Sequence, residues 1–200
     1  YTLVNSLCTP PLLLHYRNKE IAAMDCLFVI DYQKDFVDGA LGFPGAEKLD
    51  AAIAARVREY GKGRVWFTRD THFPDYLNTR EGRHLPAIHC VKGSDGWQNY
   101  GETAKALEEV EAVGIDKLTF GMDVADPAIL ALLPKEADRI ELCGLVSNIC
   151  VVSNAVVLQS HYPNAQIVVD ANLTASFDPD LHEKTLDVLA GLQAEVLNRK

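Results

Sequence analysis

DRIELCGLVSNICVVSNAVVLQSH, residues 138–161, joins two kinds of hydrophobic pattern. Residues 138–145 form an almost continuous apolar run, which is typical of a strand buried on both faces of a sheet. Residues 147–161 have the length and the apolar spacing of a helix. A buried strand that leads directly into a helix is the repeating unit of parallel α/β sheets. Cys150 lies at the turn between the two elements, where a helix N-terminus favours a thiolate.

The same alternation extends along most of the chain in both directions. Apolar runs typical of strands and longer patterns typical of helices follow each other about six times. The predicted strands are 26–31, 64–70, 115–120, 138–145, 165–170 and 194–198, and the predicted helices are 47–61, 101–114, 126–134, 147–161 and 178–192. The sequence therefore predicts an α/β fold whose parallel sheet is covered by helices on both faces.

The first 23 residues do not share this pattern. They contain a proline pair and no clear period, and Met24 is followed at once by a strand-like run, so Met24 would make a natural start. We interpret residues 1–23 as an irregular N-terminal extension and residues 24–200 as one domain, an ordinary size for a single hydrophobic core.

Composition excludes several classes of partner. The net charge of −9 and the absence of a long basic run argue against nucleic acid and anionic membranes. No apolar stretch approaches the roughly 20 residues that span a bilayer. The five cysteines are odd in number and form no CxxC pair, which favours free thiols in a reducing, cytoplasmic compartment.

Polar residues stand at the ends of several predicted strands. Asp31, Asp70 and Lys117 end or nearly end their strands, and Cys150 follows the fourth. In open α/β sheets, ligands bind beyond the carboxyl ends of the strands. The sequence therefore predicts a site at this edge.

Three of these residues suit nucleophilic catalysis. Cys150 needs to lose its proton to attack a carbonyl, Asp31 is a carboxylate that can accept that proton, and Lys117 can hold both partners. Each has an ordinary alternative: a buried structural thiol, a carboxylate that caps a turn, and a surface lysine. Their convergence on adjacent strand ends favours the catalytic interpretation.

The long polar segment 69–97 contains a possible metal site. Asp70 and His72 are two residues apart, so both can point the same way on an extended chain, and His89 follows 17 residues later. Three protein ligands suit a catalytic Zn²⁺, Fe²⁺ or Mn²⁺, and Glu81 or His84 could add another. The alternative is a polar loop whose histidines bond to the backbone.

Five sequence blocks resemble, in order, the isochorismatase-like cysteine hydrolases. The blocks are VIDYQKDF (29–36), RDTH (69–72), LPAIHCVKGSDGW (85–97), DKLTFG (116–121) and GLVSNICVVSNA (144–155). The resemblance runs from about residue 25 to 198. It implies a three-layer α/β/α fold with a six-stranded parallel sheet. It also implies a thioester mechanism with Cys150 as nucleophile, Asp31 as base and Lys117 as the third member of the triad.

The resemblance carries further residue roles. It implies a non-proline cis peptide at Leu145–Val146 and an oxyanion hole formed by the N–H groups of Val146 and Cys150. Phe36 matches an aromatic residue that packs on the substrate ring. Trp97 or Tyr76 would supply another wall, and homo-oligomers are common in the family.

Within the family, the metal-binding set points to nicotinamidases, which turn nicotinamide into nicotinate and ammonia. Asp70, His72 and His89 match that set, with Glu81 in the region where some members add a carboxylate. The surroundings differ, since nicotinamidases commonly have Trp at the position of Thr71 and Trp-Pro in place of Leu85–Pro86. A divalent ion, Zn²⁺ before Fe²⁺ or Mn²⁺, is the expected cofactor, and a small amide the expected partner.

Other functions remain open on the sequence. The same residues would hydrolyse another small amide or a ureido or carbamoyl compound. A non-catalytic domain of the same fold is a further alternative, which the intact Asp31, Lys117 and Cys150 set disfavours. Isochorismate hydrolysis is disfavoured because that branch generally dispenses with the thiol.

Overall fold

The computed structural model describes residues 24–199, so the expected extension at residues 1–23 lies outside the described residues. Within them, six strands form one sheet in the order β3-β2-β1-β4-β5-β6, and every neighbouring pair is parallel. The strands are β1 (Asp25–Ile30), β2 (Val65–Asp70), β3 (Val113–Lys117), β4 (Arg139–Leu145), β5 (Gln166–Ala175) and β6 (Glu195–Leu197). The predicted six-stranded parallel sheet is confirmed.

Helices connect the strands. The α-helices are α1 (Lys34–Val37), α2 (Asp50–Tyr60), α3 (Arg80–His84), α4 (Gly101–Glu109), α5 (Pro127–Leu130), α6 (Val152–His161) and α7 (Pro179–Gly191). Short 3₁₀ turns lie at Ala46–Leu49 and Tyr76–Asn78, and a single π-turn covers Ser147–Val151. Among residues 24–199, no helix is both long and apolar enough to cross a membrane.

The sheet has a hydrophobic core on each face, which makes the fold three-layered. Successive residues of β1 point to opposite sides, so Leu27 and Val29 pack in one core and Phe28 and Ile30 in the other. The first core is closed by α2 and α4, and the second by α6 and α7. Because both faces are covered, β1 and β4 are apolar almost throughout, as the sequence pattern predicts.

Several element boundaries differ from the predicted ones. The run predicted as strand 115–120 pairs only as Val113–Lys117, since Thr119 and Gly121 close a polar turn after it. The helix predicted at 126–134 is the single turn Pro127–Leu130. β5 is longer than predicted and continues to Ala175.

The polar segment after β2 is ordered by its own contacts. The His72 N–H donates to the Cys90 carbonyl, and the Lys92 N–H donates to the His72 carbonyl, which ties both ends of the segment together. The Thr79 hydroxyl caps α3 by accepting from the Gly82 N–H at 3.0 Å. These hydrogen bonds hold the segment in one conformation over the edge of the sheet, where it positions the site described next.

Candidate active site

The predicted polar residues meet at the carboxyl edge of the sheet. Asp31 directly follows β1, Asp70 ends β2, Lys117 ends β3 and Cys150 lies five residues after β4. Asp70 and Lys117 are direct partners in the β2–β3 register. The parallel topology thus brings together four groups that are far apart in sequence.

Lys117 is the centre of this group. Its ammonium nitrogen lies 2.7 Å from Asp31 Oδ2, 3.2 Å from Asp70 Oδ1 and 3.6 Å from Cys150 Sγ. It also donates to the Thr119 carbonyl at 3.1 Å. Burial opposes its charge, but Asp31, Cys150 and Asp70 outweigh burial and raise the pKa of Lys117. The side chain is therefore a fixed cation.

Asp31 is completely buried beside that cation. Its backbone has a positive φ of 45°, which is uncommon for a residue other than glycine. Thr68 donates a hydrogen bond to Asp31 Oδ1 at 2.6 Å. Burial raises the pKa of Asp31, while Lys117 and Thr68 oppose the rise. A carboxyl with a raised pKa beside a thiol is suited to exchange a proton with it.

Cys150 is held on a turn of unusual backbone. The Leu145–Val146 peptide bond is cis, as the resemblance implied. The Val151 N–H then donates to the Val146 carbonyl at 3.2 Å, which is the i to i−5 bond of a π-turn. Insertions of this kind occur often at functional sites. Burial raises the pKa of Cys150, and Lys117 opposes the rise, so the resting thiol holds its proton.

A second polar cluster adjoins Lys117 through Asp70. Its members are Asp70, His72, Glu81 and His89, whose possible ligand atoms all lie within 4.8 Å of one another. Asp70 Oδ2 is 2.9 Å from His72 Nε2 and 3.5 Å from His89 Nε2, and Glu81 Oε1 is 3.6 Å from His72 Nε2. The structure thus brings together all four of the predicted metal ligands, while His84 stands outside this group.

The cluster fits a divalent metal ion. His72 Nε2 is buried, yet it makes no well-directed hydrogen bond to any part of the chain that the structure describes. The His89 ring bonds to the Ala87 carbonyl through Nδ1 at 2.8 Å, which leaves Nε2 facing the cluster. Two imidazoles and two carboxylates are a donor set that suits Zn²⁺, Fe²⁺ or Mn²⁺.

A cavity of about 710 Å³ opens onto both groups. Cys150, Val146 and Ile149 lie on one side of it, and Asp70, Glu81 and His89 on another. The remaining lining residues are mostly apolar: Phe36, Ala40, Leu41, Gly42, Phe43, Arg80, His84, Leu85, Phe120 and Phe177. An apolar pocket onto which a few polar groups converge is the usual arrangement of a small-molecule site.

Phe36 stands where the sequence predicts a substrate contact, but Trp97 does not. Trp97 is outside the cavity lining, because its indole N–H donates to Thr71 Oγ1 at 2.9 Å and Arg69 covers its ring at 3.7 Å. Tyr76, the alternative to Trp97, is buried against the ring of His72 at 4.4 Å and supports the metal cluster. Of Phe36, Trp97 and Tyr76, the three aromatic residues that the sequence analysis assigned to the substrate, only Phe36 lines the cavity.

A family profile described as "Isochorismatase domain" matches residues 25–200 of the chain. The chain belongs to the isochorismatase family. None of the curated proteins searched matches the chain.

Solved structures of isochorismatase-like hydrolases are similar to this family member over nearly their whole length. The nicotinamidase/pyrazinamidase of Bacillus subtilis is 26% identical, with a TM-score of 0.75, over 87% of this chain and 99% of that one. The pyrazinamidase of Pyrococcus horikoshii, solved in complex with zinc, is 21% identical (TM-score 0.73, 88% and 99%). N-carbamoylsarcosine amidase of Thermoplasma acidophilum is 24% identical (TM-score 0.67, 86% and 95%). The last two likenesses show the shared fold alone.

Sequence reasoning missed several residues that hold this isochorismatase-family site in place. Gln33 accepts from the Asp70 N–H at 2.7 Å and donates to the carbonyls of Asp70 and Trp97, each at 3.0 Å. Asn154 donates to the carbonyls of Phe120 and Cys150. Both are buried amides close to named motifs, and burial was the signal that the sequence could not show.

Proposed function

We propose that the chain is a metal-containing cysteine amidohydrolase that converts a small carboxamide, nicotinamide in the first instance, into the carboxylic acid and ammonia. One observation carries the proposal. A single buried ammonium, that of Lys117, contacts the Cys150 thiol, the Asp31 carboxylate and Asp70 of the four-ligand cluster. The likeness to the B. subtilis nicotinamidase supports it.

The proposed reaction begins at the thiol. Asp31 accepts the Cys150 proton as Sγ forms a bond with the carbonyl carbon of the amide. The nitrogen then takes that proton from Asp31, the C–N bond breaks, and ammonia leaves a thioester on Cys150.

Water completes the cycle. It gives a proton to Asp31 as its oxygen attacks the thioester, and the C–S bond breaks as Sγ regains the proton. The N–H groups of Val146 and Cys150 are assigned to the carbonyl oxygen, whose negative charge grows in both attacks. Lys117 keeps Asp31 and Cys150 in reach of each other and offsets the charge of the carboxylates.

Asp70, His72, Glu81 and His89 are assigned to hold the metal ion. When bound, the ion supplies a Lewis-acid site for a ring nitrogen of the substrate. Phe36, whose ring is 5.6 Å from that of His89, would then orient the substrate ring beside the cluster.

The proposal is tested by ammonia release with metal analysis of the same sample. Nicotinamide, pyrazinamide and an N-carbamoyl amino acid are supplied as substrates to the wild type and to Cys150→Ala. We expect nicotinamide to be hydrolysed and the variant to lose at least about 10³-fold in kcat. Cys26→Ala, which removes a buried thiol near the start of β1, is the matched control and should keep its activity.

Each outcome separates the candidate functions. If only the N-carbamoyl amino acid releases ammonia, the substrate class is ureido compounds and not nicotinamide. Equal turnover by Cys150→Ala and the wild type would overturn the thioester mechanism. No ammonia from any of these compounds, with the metal bound, would favour a non-catalytic domain.

A further inference from the structure

The cavity is much larger than the reaction centre requires. The whole cavity measures about 710 Å³, and Cys150, Val146 and three residues of the four-ligand cluster line only part of it. Cavities of several hundred Å³ take drug-sized ligands, whereas a single-ring carboxamide would fill only a small part of this one.

Part of the cavity lining is an aromatic wall, formed by Phe43, Phe120 and Phe177. Phe43 and Phe177 meet edge to face with ring centroids 6.4 Å apart. Phe120 lies on the wall too, and Leu41 and Leu85 add aliphatic surface. Phe43 follows α1, Phe120 follows β3 and Phe177 precedes α7, so three distant loops present apolar side chains to one space.

Part of this wall faces solvent. Phe177 is 58% exposed and Phe120 is 41% exposed, although each could have been buried in a core. Exposed apolar surface of this kind, when it lines a concave site, marks a place where a ligand covers it. Because Cys150 lines the same cavity, a ligand that covers these rings can also reach the thiol.

From this arrangement we propose that the preferred substrate is a primary carboxamide whose acyl part carries a bulky aryl-alkyl group, and that Phe43, Phe120 and Phe177 bind that group. The inference rests on the proposed amide hydrolysis at Cys150 and extends its substrate class to carboxamides that have no ring nitrogen for the metal ion. The carboxamide lies at Cys150, and the apolar group points along the cavity to the aromatic wall. Burying such a group removes apolar area of both substrate and wall from water.

The test compares 3-phenylpropanamide with nicotinamide on the wild type and on Phe177→Ala. We expect the wild type to have at least tenfold higher kcat/KM for 3-phenylpropanamide. Phe177→Ala should raise KM for 3-phenylpropanamide about tenfold and raise KM for nicotinamide much less, because the longer substrate covers more of the aromatic wall. Phe177→Leu, which keeps apolar volume, should recover most of the affinity.

Val188→Ala is the control variant. Val188 is 52% exposed on α7 and lies outside the cavity lining, so both substrates should be unaffected. Since Phe177 is mostly exposed, its substitution should leave the free energy of unfolding nearly unchanged.

Binding of 3-phenylpropanamide to Cys150→Ala, measured by calorimetry, separates this inference from the proposed function. If no amide is hydrolysed but adding Phe177→Ala weakens binding tenfold, the aromatic subsite stands and the hydrolysis fails. If nicotinamide is hydrolysed and 3-phenylpropanamide is neither bound nor preferred, the inference is overturned. Equal effects of Phe177→Ala on the KM values of both substrates would also overturn it. So would a Phe177→Ala variant whose oligomeric state changes while its KM values do not.

Discussion

Lys117 is the counter-charge of both buried carboxylates of the site. It is buried between Asp31 and Asp70, and each carboxylate lies within 3.2 Å of its ammonium. Taking three charged groups out of water is costly, and only their mutual attraction offsets that cost. The residue therefore has a structural role that is separate from the chemistry proposed for it.

Lys117→Met tests that structural role. We expect it to lower the free energy of unfolding by about 3–5 kcal/mol, because two buried carboxylates lose their counter-charge. Lys184→Met, at a side chain that is 69% exposed, is the control and should change it by less than about 0.5 kcal/mol. Urea unfolding measures both, and equal midpoints would contradict the assigned role.

The pH dependence of the reaction reports on Asp31. The carboxylate must be ionised to accept the thiol proton, and burial raises its pKa. We therefore expect kcat/KM to fall on the acid side at a higher pH than the ordinary aspartate value of about 3.9. Thr68→Val removes a hydrogen bond that favours the ionised form, so the acid limb should move to still higher pH. A limb that stays in place or moves down would show that Asp31 is not the group that titrates.

The main residues of the site are predictable from the sequence, whereas their supports are not. Asp31, Asp70 and Lys117 stand at strand ends and Cys150 on the turn after β4, and parallel topology brings these ends together. Thr68 lies on β2, next to the strand that Asp31 follows, and it donates a hydrogen bond to the Asp31 carboxylate. In the sequence it looks like any other strand residue. Its role depends on the side of the sheet to which its side chain points, and a single sequence does not give that orientation.

At the scale of elements, β4 and the turn after it place the thiol. Gly144 has a φ of 105°, and a Cβ there would lie 2.1 Å from the Ile30 carbonyl oxygen. Only glycine allows β4 to bend this closely over β1. The bend leads into the cis peptide and the π-turn that present Cys150.

Gly144→Ala tests this close approach. We expect it to lower the free energy of unfolding by more than about 3 kcal/mol, since backbone must move in a buried strand. Gly191→Ala is the matched control, because a Cβ at Gly191 meets nothing within 4 Å, and the helix should gain about 0.5–1 kcal/mol. Thermal and urea unfolding of both variants measure the difference. Similar stabilities would mean that the bend tolerates a side chain.

Element types were easier to predict than element ends. The apolar runs of β1 and β4 are strong signals because both strands are buried on two faces, and the period of α2 is one because that helix is buried on a single face. The helix predicted from residue 147 begins instead with the π-turn Ser147–Val151. Local sequence carries little information on such a backbone.

At the scale of the whole molecule, the cluster of four possible metal ligands joins the polar segment after β2 to the sheet. Asp70 belongs to β2, while His72, Glu81 and His89 come from the segment that covers it. A metal ion bound only by the folded chain stabilises that fold by mass action.

Zinc titration tests this coupling. We expect one equivalent of zinc to raise Tm by several degrees and His89→Ala to lose both the zinc and the rise in Tm. His84→Ala is the control, because His84 lines the cavity but is not one of the four clustered ligands. Elemental analysis with calorimetry measures both effects, and a zinc-dependent rise that survives His89→Ala would refute the ligand assignment.

The expected homo-oligomer remains a prediction at this scale. Sedimentation equilibrium measures it directly, and a monomer at all concentrations would contradict it. The negative net charge of −9 likewise predicts no retention of the protein by DNA at moderate ionic strength.

The strand order has one more consequence. The residues proposed as nucleophile, proton acceptor and cation end a strand of the sheet, directly follow one or lie on the π-turn after one, whereas Phe43, Phe120 and Phe177 lie on longer connections between elements. Evolution can therefore exchange those connections one at a time and alter what the cavity binds, while the strands that hold the proposed chemistry are inherited unaltered.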